Sequence, residues 1–184
     1  MVNKKQESNF PGIIILVGFM GSGKTTVGRA LAEALSYQMV DTDAAIENSM
    51  GISVAEIFSN YGEDHFRRLE QDYIREMKTL DKVIICTGGG MPVFNDNMKA
   101  LIATGTVVYL KTGVETILKR VGTGLTRPLL SKMNIAKKRK FVSQKLRERE
   151  EFYSKAHFKV MAGKSVDAVV RNIVNKLSKV DVGD

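Results

Sequence analysis

The sequence predicts an α/β domain wound on a parallel sheet, and three observations predict it. The runs Ile13–Val17, Val83–Cys86 and Thr106–Leu110 are almost continuously apolar and β-branched, as strands buried on both faces are. Stretches of helical period separate them. A glycine-rich turn follows the first run directly and leads into one of those helical stretches. Strand–helix alternation of this kind, with no internal repeat and no dividing linker, argues for one layered unit. At 184 residues the chain suits one domain with a substantial core, and 43% hydrophobic with 26% charged residues is ordinary for a globular protein.

Along the chain, residues 1–10 are polar and are expected to form a short flexible tail; they lack the apolar segment of a secretory signal. After the strand Ile13–Val17, the residues Gly18-Phe19-Met20-Gly21-Ser22-Gly23-Lys24-Thr25 fit the pattern G-x-x-x-x-G-K-[ST]. Glycines there let backbone N–H groups turn inward around an anion, and the following helix adds the positive end of its dipole. Lys24 then reaches the outer phosphates of a nucleoside triphosphate and the Thr25 hydroxyl binds Mg²⁺. The helix is expected over Lys24–Leu35, with Val27, Leu31 and Leu35 on one face.

A shorter strand, Tyr37–Val40, runs into Asp41-Thr42-Asp43 at the carboxyl edge of the sheet, where ligands of doubly wound folds bind. If the strand continues, both aspartates point to one side. One carboxylate then helps hold Mg²⁺ through water, and the other faces an acceptor hydroxyl and takes its proton. The alternative is that Asp43 merely caps a helix Ala44–Asn48. Ser53 with Glu56 reads as a capping box for the next helix, and Glu63–Lys78 carries Phe66, Leu69, Tyr73 and Met77 at helical spacing. Cys86, the single cysteine, sits in an apolar run, which excludes an internal disulfide, fits a reducing cytoplasm and predicts a buried thiol. Directly after it, Thr87-Gly88-Gly89-Gly90-Met91-Pro92 holds three consecutive glycines, costly unless backbone must approach a ligand closely.

Between two helical segments, Val121-Gly122-Thr123-Gly124-Leu125-Thr126-Arg127-Pro128 breaks helical continuity and reads as a lid or binding loop spanning about 121–133. Asn134–Phe152, a weaker strand Phe158–Met161 and a helix Val166–Leu177 complete the domain, expected over 11–178 with a tail at 179–184. Arg67, Arg127 and Arg149 are candidates for anion binding, because the guanidinium fork matches carboxylate and phosphate.

Net charge is +8, and its placement is uneven: residues 111–159 hold 14 Lys/Arg against 4 Asp/Glu, leaving 14 against 16 elsewhere. Basic residues here are not interleaved with aromatics in a nucleic-acid motif, so polyanionic small molecules are the expected partners and nucleic acid is not. The apolar stretch Ile13 to Met20 is too short to span a bilayer, so no membrane role is expected.

In order and spacing these elements resemble the shikimate kinase family over roughly Ile13 to Val170. The resemblance rests on the phosphate loop with Val27-Gly28-Arg29, Asp41-Thr42-Asp43 with Ile46-Glu47, and Gly51 through Phe58. It continues through Gly62-Glu63, Phe66 through Glu70, Thr87 through Gly90, Arg127-Pro128-Leu129-Leu130, and Arg149 four residues before Tyr153. It implies a five-stranded parallel sheet with helices on both faces, of the nucleoside monophosphate kinase type with a mobile lid, and ATP-dependent phosphorylation of the 3-hydroxyl of shikimate. No obvious exposed apolar stripe in the sequence demands a partner, so a cytoplasmic monomer is expected. It implies that Gly21, Ser22, Gly23, Lys24, Thr25 and Thr26 cradle the ATP phosphates, with Thr25 and Asp41 at Mg²⁺. Asp43 would bind the substrate hydroxyls and act as base. Arg67 and Arg149 would clamp the carboxylate, with Glu70 orienting Arg67, and Gly88, Gly89 and Gly90 would present backbone to the ring. Phe58 and Phe66 would wall the pocket, Arg127 would stabilise charge on the transferring phosphoryl group, and the turn Ala162–Ser165 would lie near adenine.

Overall fold

Five strands, β1 (Ile13–Val17), β2 (Gln38–Asp41), β3 (Val83–Cys86), β4 (Thr106–Lys111) and β5 (Phe158–Met161), form one parallel sheet in the order β2-β3-β1-β4-β5. The structure is a computed structural model, and it describes residues 10–122, 133–163 and 165–179. Helices on both faces connect the strands: α1 (Lys24–Leu35), α2 (Thr42–Met50), α3 (Val54–Tyr61), α4 (Glu63–Glu76), α5 (Asn97–Thr104), α6 (Val114–Gly122), α7 (Ile135–Tyr153) and α8 (Val166–Leu177). The fold is therefore the parallel sheet covered by helices on both faces that the sequence predicts.

The continuous apolar runs have a structural cause. Successive strand side chains face opposite ways, and both faces of this sheet are covered. Ile15 and Val17 enter one core with Ile85, Val107 and Tyr109, while Ile14 and Leu16 enter the other with Ile84, Val108 and Leu110. β1 lies at the centre, with Ile14 level with Ile84 of β3 and with Thr106 of β4. The first core packs beneath residues of α5, α6 and α7, such as Leu101, Ile117 and Val142; the second packs against α1 and α8 through Leu31 and Ile173. A third, smaller cluster of Ile46, Ile57 and Phe66 ties α2, α3 and α4 together beside the sheet.

Several boundaries differ from the sequence expectation for local reasons. The capping box at Ser53 is present, with the Ser53 N–H donating to Glu56 Oε2 at 2.8 Å. α4 ends at Glu76, where the chain tightens into a 3₁₀ turn over Met77–Thr79 that buries Met77. β2 is displaced by one residue and ends on Asp41, because α2 starts immediately at Thr42. The strand does not continue past Asp41, so the two aspartates are not alternate residues of one strand. The helix cap is Asp41 rather than Asp43, and the helix is longer than Ala44–Asn48 at both ends. The lid residues 123–132, Arg127 among them, lie outside the described residues, as do 1–9 and 180–184.

Because every strand is parallel, all five carboxyl ends open on one edge. That edge carries the loop after Val17, Asp41, the glycines after Thr87, Thr112 and Ala162.

Candidate active site

β1 delivers the chain into the loop Gly18–Gly23, where Gly21 (φ 73°) and Gly23 (φ 98°) adopt backbone that L side chains rarely tolerate. The Ser22 N–H donates to the Phe19 carbonyl at 3.1 Å, and α1 begins at Lys24 with no side chain capping it. No side chain therefore competes with a ligand for the first amides of α1. Lys24 arches over the same loop, its Nζ donating to the carbonyls of Gly18 (2.8 Å) and Phe19 (3.1 Å). A cationic head, a ring of amides and a helix dipole thus share one concavity, the arrangement that binds a triphosphate.

A cavity of about 400 Å³ opens beside the loop, lined by Gly21, Ser22, Gly23, Thr26, Val27, Arg120, Ala162, Val166 and Val169. Arg120 of α6 spans it: Nη1 donates to the carbonyls of Gly21 (3.2 Å) and Ser22 (2.9 Å), and Nη2 donates to the Ala162 carbonyl (3.0 Å). The phosphate loop is thereby fastened to the end of β5, with an apolar floor from α1 and α8 between them.

On the other side of the loop, the Thr25 hydroxyl donates to Asp41 Oδ2 at 3.0 Å. Asp41 Oδ1 accepts from the Asp43 N–H at 3.2 Å, which fixes the carboxylate at the start of α2. Among the described residues no group of three or more His, Cys, Asp or Glu is arranged to hold a metal. Two hard oxygen ligands side by side nevertheless suit Mg²⁺, which keeps its waters and borrows phosphate oxygens instead of occupying an all-protein cage. The donor set therefore fits that ion.

The three glycines after β3 are where the remaining candidates meet. A Cβ on Gly88 would overlap the Asp43 carboxylate, so Asp43 Oδ1 sits close against the Gly88 backbone. A Cβ on Gly89 would stand 3.3 Å from Met20 N, 3.5 Å from the Gly18 carbonyl and 3.6 Å from Arg149 Nη1. On Gly90 it would stand 2.9 and 3.0 Å from Nη1 and Nη2 of Arg67. The phosphate loop, Asp43, Arg67 and Arg149 thus converge on one three-residue turn. Hydrogen bonds hold the turn in place: Gly88 N–H donates to the buried Thr42 hydroxyl at 2.9 Å, while the Gly89 carbonyl accepts from Tyr153 (2.6 Å) and Arg149 Nη1 (3.0 Å).

Arg67 is a charge held mostly out of solvent, its side chain only 11% exposed. Nε and Nη2 donate to Glu63 Oε1 at 3.2 and 2.7 Å, and Nη1 donates to Glu70 Oε2 at 2.7 Å. One N–H on each terminal nitrogen is left without an acceptor among the described residues, and the position a Gly90 side chain would take is equidistant from the two. Donors on both terminal nitrogens of a planar guanidinium can pair with a carboxylate. Glu70 is fully buried, and burial pushes its carboxyl up to about 7 despite the opposing pull of Arg67. Phe58 and Phe66 do stand near the fork, at 5.9 and 5.5 Å from Arg67 Cζ, but Phe66 is buried in the α2–α3–α4 cluster.

Sequence reasoning places Lys24, Thr25, Asp41, Asp43, Arg67, Gly88, Gly89, Gly90 and Arg149 around this edge, and the structure brings all of them together there. It misses Arg120 and Thr42. Arg120 touches residues 98 and 99 positions away, a separation no local pattern encodes. Thr42 stands between two aspartates that draw attention from it, and its zero exposure emerges only from the fold.

Comparison with known proteins bears on this site. A family model described as shikimate kinase matches residues 20–178. A shikimate kinase of Parabacteroides distasonis is 40% identical over 169 residues, which is 91% of this chain and 98% of the relative. The crystal structure of shikimate kinase from Bacteroides thetaiotaomicron superposes with a TM-score of 0.86 at 32% identity, covering 91% of this chain and 98% of that one. Shikimate kinase from Acinetobacter baumannii, solved in complex with shikimate, gives 0.84 at 32% identity, with 94% and 96% covered.

Proposed function

This chain belongs to the shikimate kinase family, and from that premise we propose that it transfers the γ-phosphoryl group of ATP to the 3-hydroxyl of shikimate, giving shikimate 3-phosphate and ADP. The observation that carries the proposal is the convergence on Gly88–Gly90, where a phosphate loop, a carboxylate and two arginines face one small volume. Phosphoryl transfer asks for positioning and charge stabilisation above all, and these groups supply both.

The loop amides of Gly21 to Thr26 receive the β- and γ-phosphates, and Lys24 shifts from its carbonyl partners to the phosphate oxygens. The adenine ring of ATP lies in the cavity between Arg120 and the end of β5. Thr25, and Asp41 through water, would hold Mg²⁺, which would neutralise phosphate charge. Arg67 and Arg149 clamp the shikimate carboxylate, which orients the ring so that its 3-hydroxyl meets Asp43. Asp43 accepts the hydroxyl proton as the oxygen attacks the γ-phosphorus in line with the departing ADP oxygen. Arg127 is assigned to the developing phosphoryl charge on the family resemblance, being outside the described residues. A monomer is the proposed state.

ADP release from Mg-ATP, measured with and without shikimate and with gluconate and nucleoside monophosphates as parallel acceptors, tests the reading. Strong stimulation by shikimate alone is expected, and no stimulation by any acceptor in protein that still binds ATP would refute it. Lys24→Ala should abolish turnover. Arg67→Ala and Arg149→Ala should each weaken shikimate affinity on the order of 10²-fold, the cost of removing one partner of a desolvated charge pair.

A further inference from the structure

Phe94 closes one flat side of the Arg67 guanidinium. Its ring centroid lies 3.9 Å from Arg67 Cζ, against 5.5 Å or more for Phe58 and Phe66. At that separation the planar cation rests on the ring face, where the quadrupole is negative. We propose that Phe94 is a positioning residue for the acceptor site, a stacking platform that sets the tilt of Arg67 and thereby the affinity for the substrate carboxylate. This rests on the reading of Arg67 as part of the carboxylate clamp.

The two acids beside Arg67 cannot do this work. Glu63 and Glu70 bond its N–H groups at the edge of the guanidinium and limit rotation within its plane. Hydrogen bonds at an edge resist tilting weakly, whereas a ring against the face opposes it directly. Glu63 is also half exposed, so its hold is screened. Glu70, with its carboxyl near 7, is partly protonated at neutral pH. The ring carries no titratable group, and its hold persists across the pH range.

The backbone holds the platform still. Phe94 follows the 3₁₀ turn Met91–Val93, whose Val93 N–H donates to the Gly90 carbonyl at 2.9 Å. Its own carbonyl accepts from the Asn97 N–H at 2.8 Å, and the buried Asn97 side chain donates to the Met91 carbonyl at 3.0 Å. One short, doubly pinned segment therefore carries both Gly90, whose missing side chain spares the terminal nitrogens of Arg67, and Phe94, whose ring lies under its Cζ. The carboxylate site is built from this segment as much as from α4.

The experiment is steady-state kinetics and thermal melting of full-length Phe94→Leu, Phe94→Tyr and Arg67→Ala. Leucine keeps apolar volume and removes the π face; tyrosine keeps the face. The leucine variant should raise the shikimate KM about 5- to 30-fold while the ATP KM and kcat stay within about twofold, and the tyrosine variant should restore the parent value. Should the leucine protein not fold, Phe94→Met supplies a second non-aromatic side chain. An unchanged shikimate KM in the leucine or methionine variant, or equal impairment with tyrosine, overturns the platform while leaving the clamp intact if Arg67→Ala is impaired. An Arg67→Ala protein with unchanged shikimate KM overturns both.

Discussion

A Cβ at Gly88 overlaps the Asp43 carboxylate, whereas a Cβ at Gly90 abuts the terminal nitrogens of Arg67. Gly88→Ala is therefore expected to displace Asp43, the proposed base, and to lower kcat, with a smaller effect on the shikimate KM. Gly90→Ala is expected to fill the space at the fork and to raise the shikimate KM with kcat largely kept. Steady-state kinetics of the pair checks this, and identical kinetic defects would show that the turn acts only as a unit. Glu70 gives a pH signature at the same scale. Its folded-state carboxyl is raised from 4.5 to about 7, so between those values the folded protein binds a proton that the unfolded chain releases. The contribution of this group to stability therefore falls as pH rises through that window. Melting temperatures should show the parent losing ground to Glu70→Gln on going from about pH 5 to about pH 8, and a constant difference between the two would contradict the assignment.

Among the elements, α1 and β3 touch as closely as a glycine permits. A Cβ at Gly28 would overlap Cys86 Sγ and stand 3.5 Å from Leu16 Cδ1 and 3.7 Å from Ile84 Cγ2. Alanine gains about 1 kcal/mol of helix propensity over glycine, but overpacking a filled core costs about 1–3 kcal/mol. Gly28→Ala should thus lower the urea midpoint, and Cys86→Ala, which removes the obstructing sulfur, should recover part of the loss when combined with it. Additive effects in that double-mutant cycle would mean that the contact is not the cause. These two elements were readable in the sequence, because each interior strand is a single apolar run serving two cores and α1 repeats its apolar residues with helical period. α5 was not: it spans eight residues and anchors itself through Asn97, a polar residue in a core position. The phosphate loop was legible because all its parts are contiguous. Arg120 and Phe94 act on residues from other elements, and which aspartate caps α2 turned on where β2 stops, a boundary decided by tertiary packing.

For the molecule as a whole, the uneven charge matters more than its total. The carboxyl edge of the sheet gathers Lys24, Lys111, Arg120 and Arg149, and the segment 111–159 holds 14 basic against 4 acidic residues. Both proposed substrates are anions, so the field of this edge concentrates them before any contact forms. Raising ionic strength shortens the Debye length from about 10 Å at 0.1 M to about 3 Å at 1 M, which screens that field more than the buried Arg67–Glu70 pair. The expected result is a several-fold rise in the KM for ATP with added KCl and a weaker rise for shikimate. A flat response for ATP would mean that the basic segment plays no part in capture. Among the described residues no helix is long and apolar enough to cross a membrane.

Cys86 is the chain's one cysteine, buried beneath α1 with its thiol donating to the Lys24 carbonyl at 3.3 Å. Burial pushes that thiol up to about 12, so a thiol reagent meets an unreactive, covered sulfur until α1 lifts from the sheet. The native protein therefore contains its own clock. The rate at which Cys86 is labelled counts the openings of the helix that begins at the phosphate loop, and a nucleotide held by that helix slows the count while an acceptor bound across the glycine turn leaves it running.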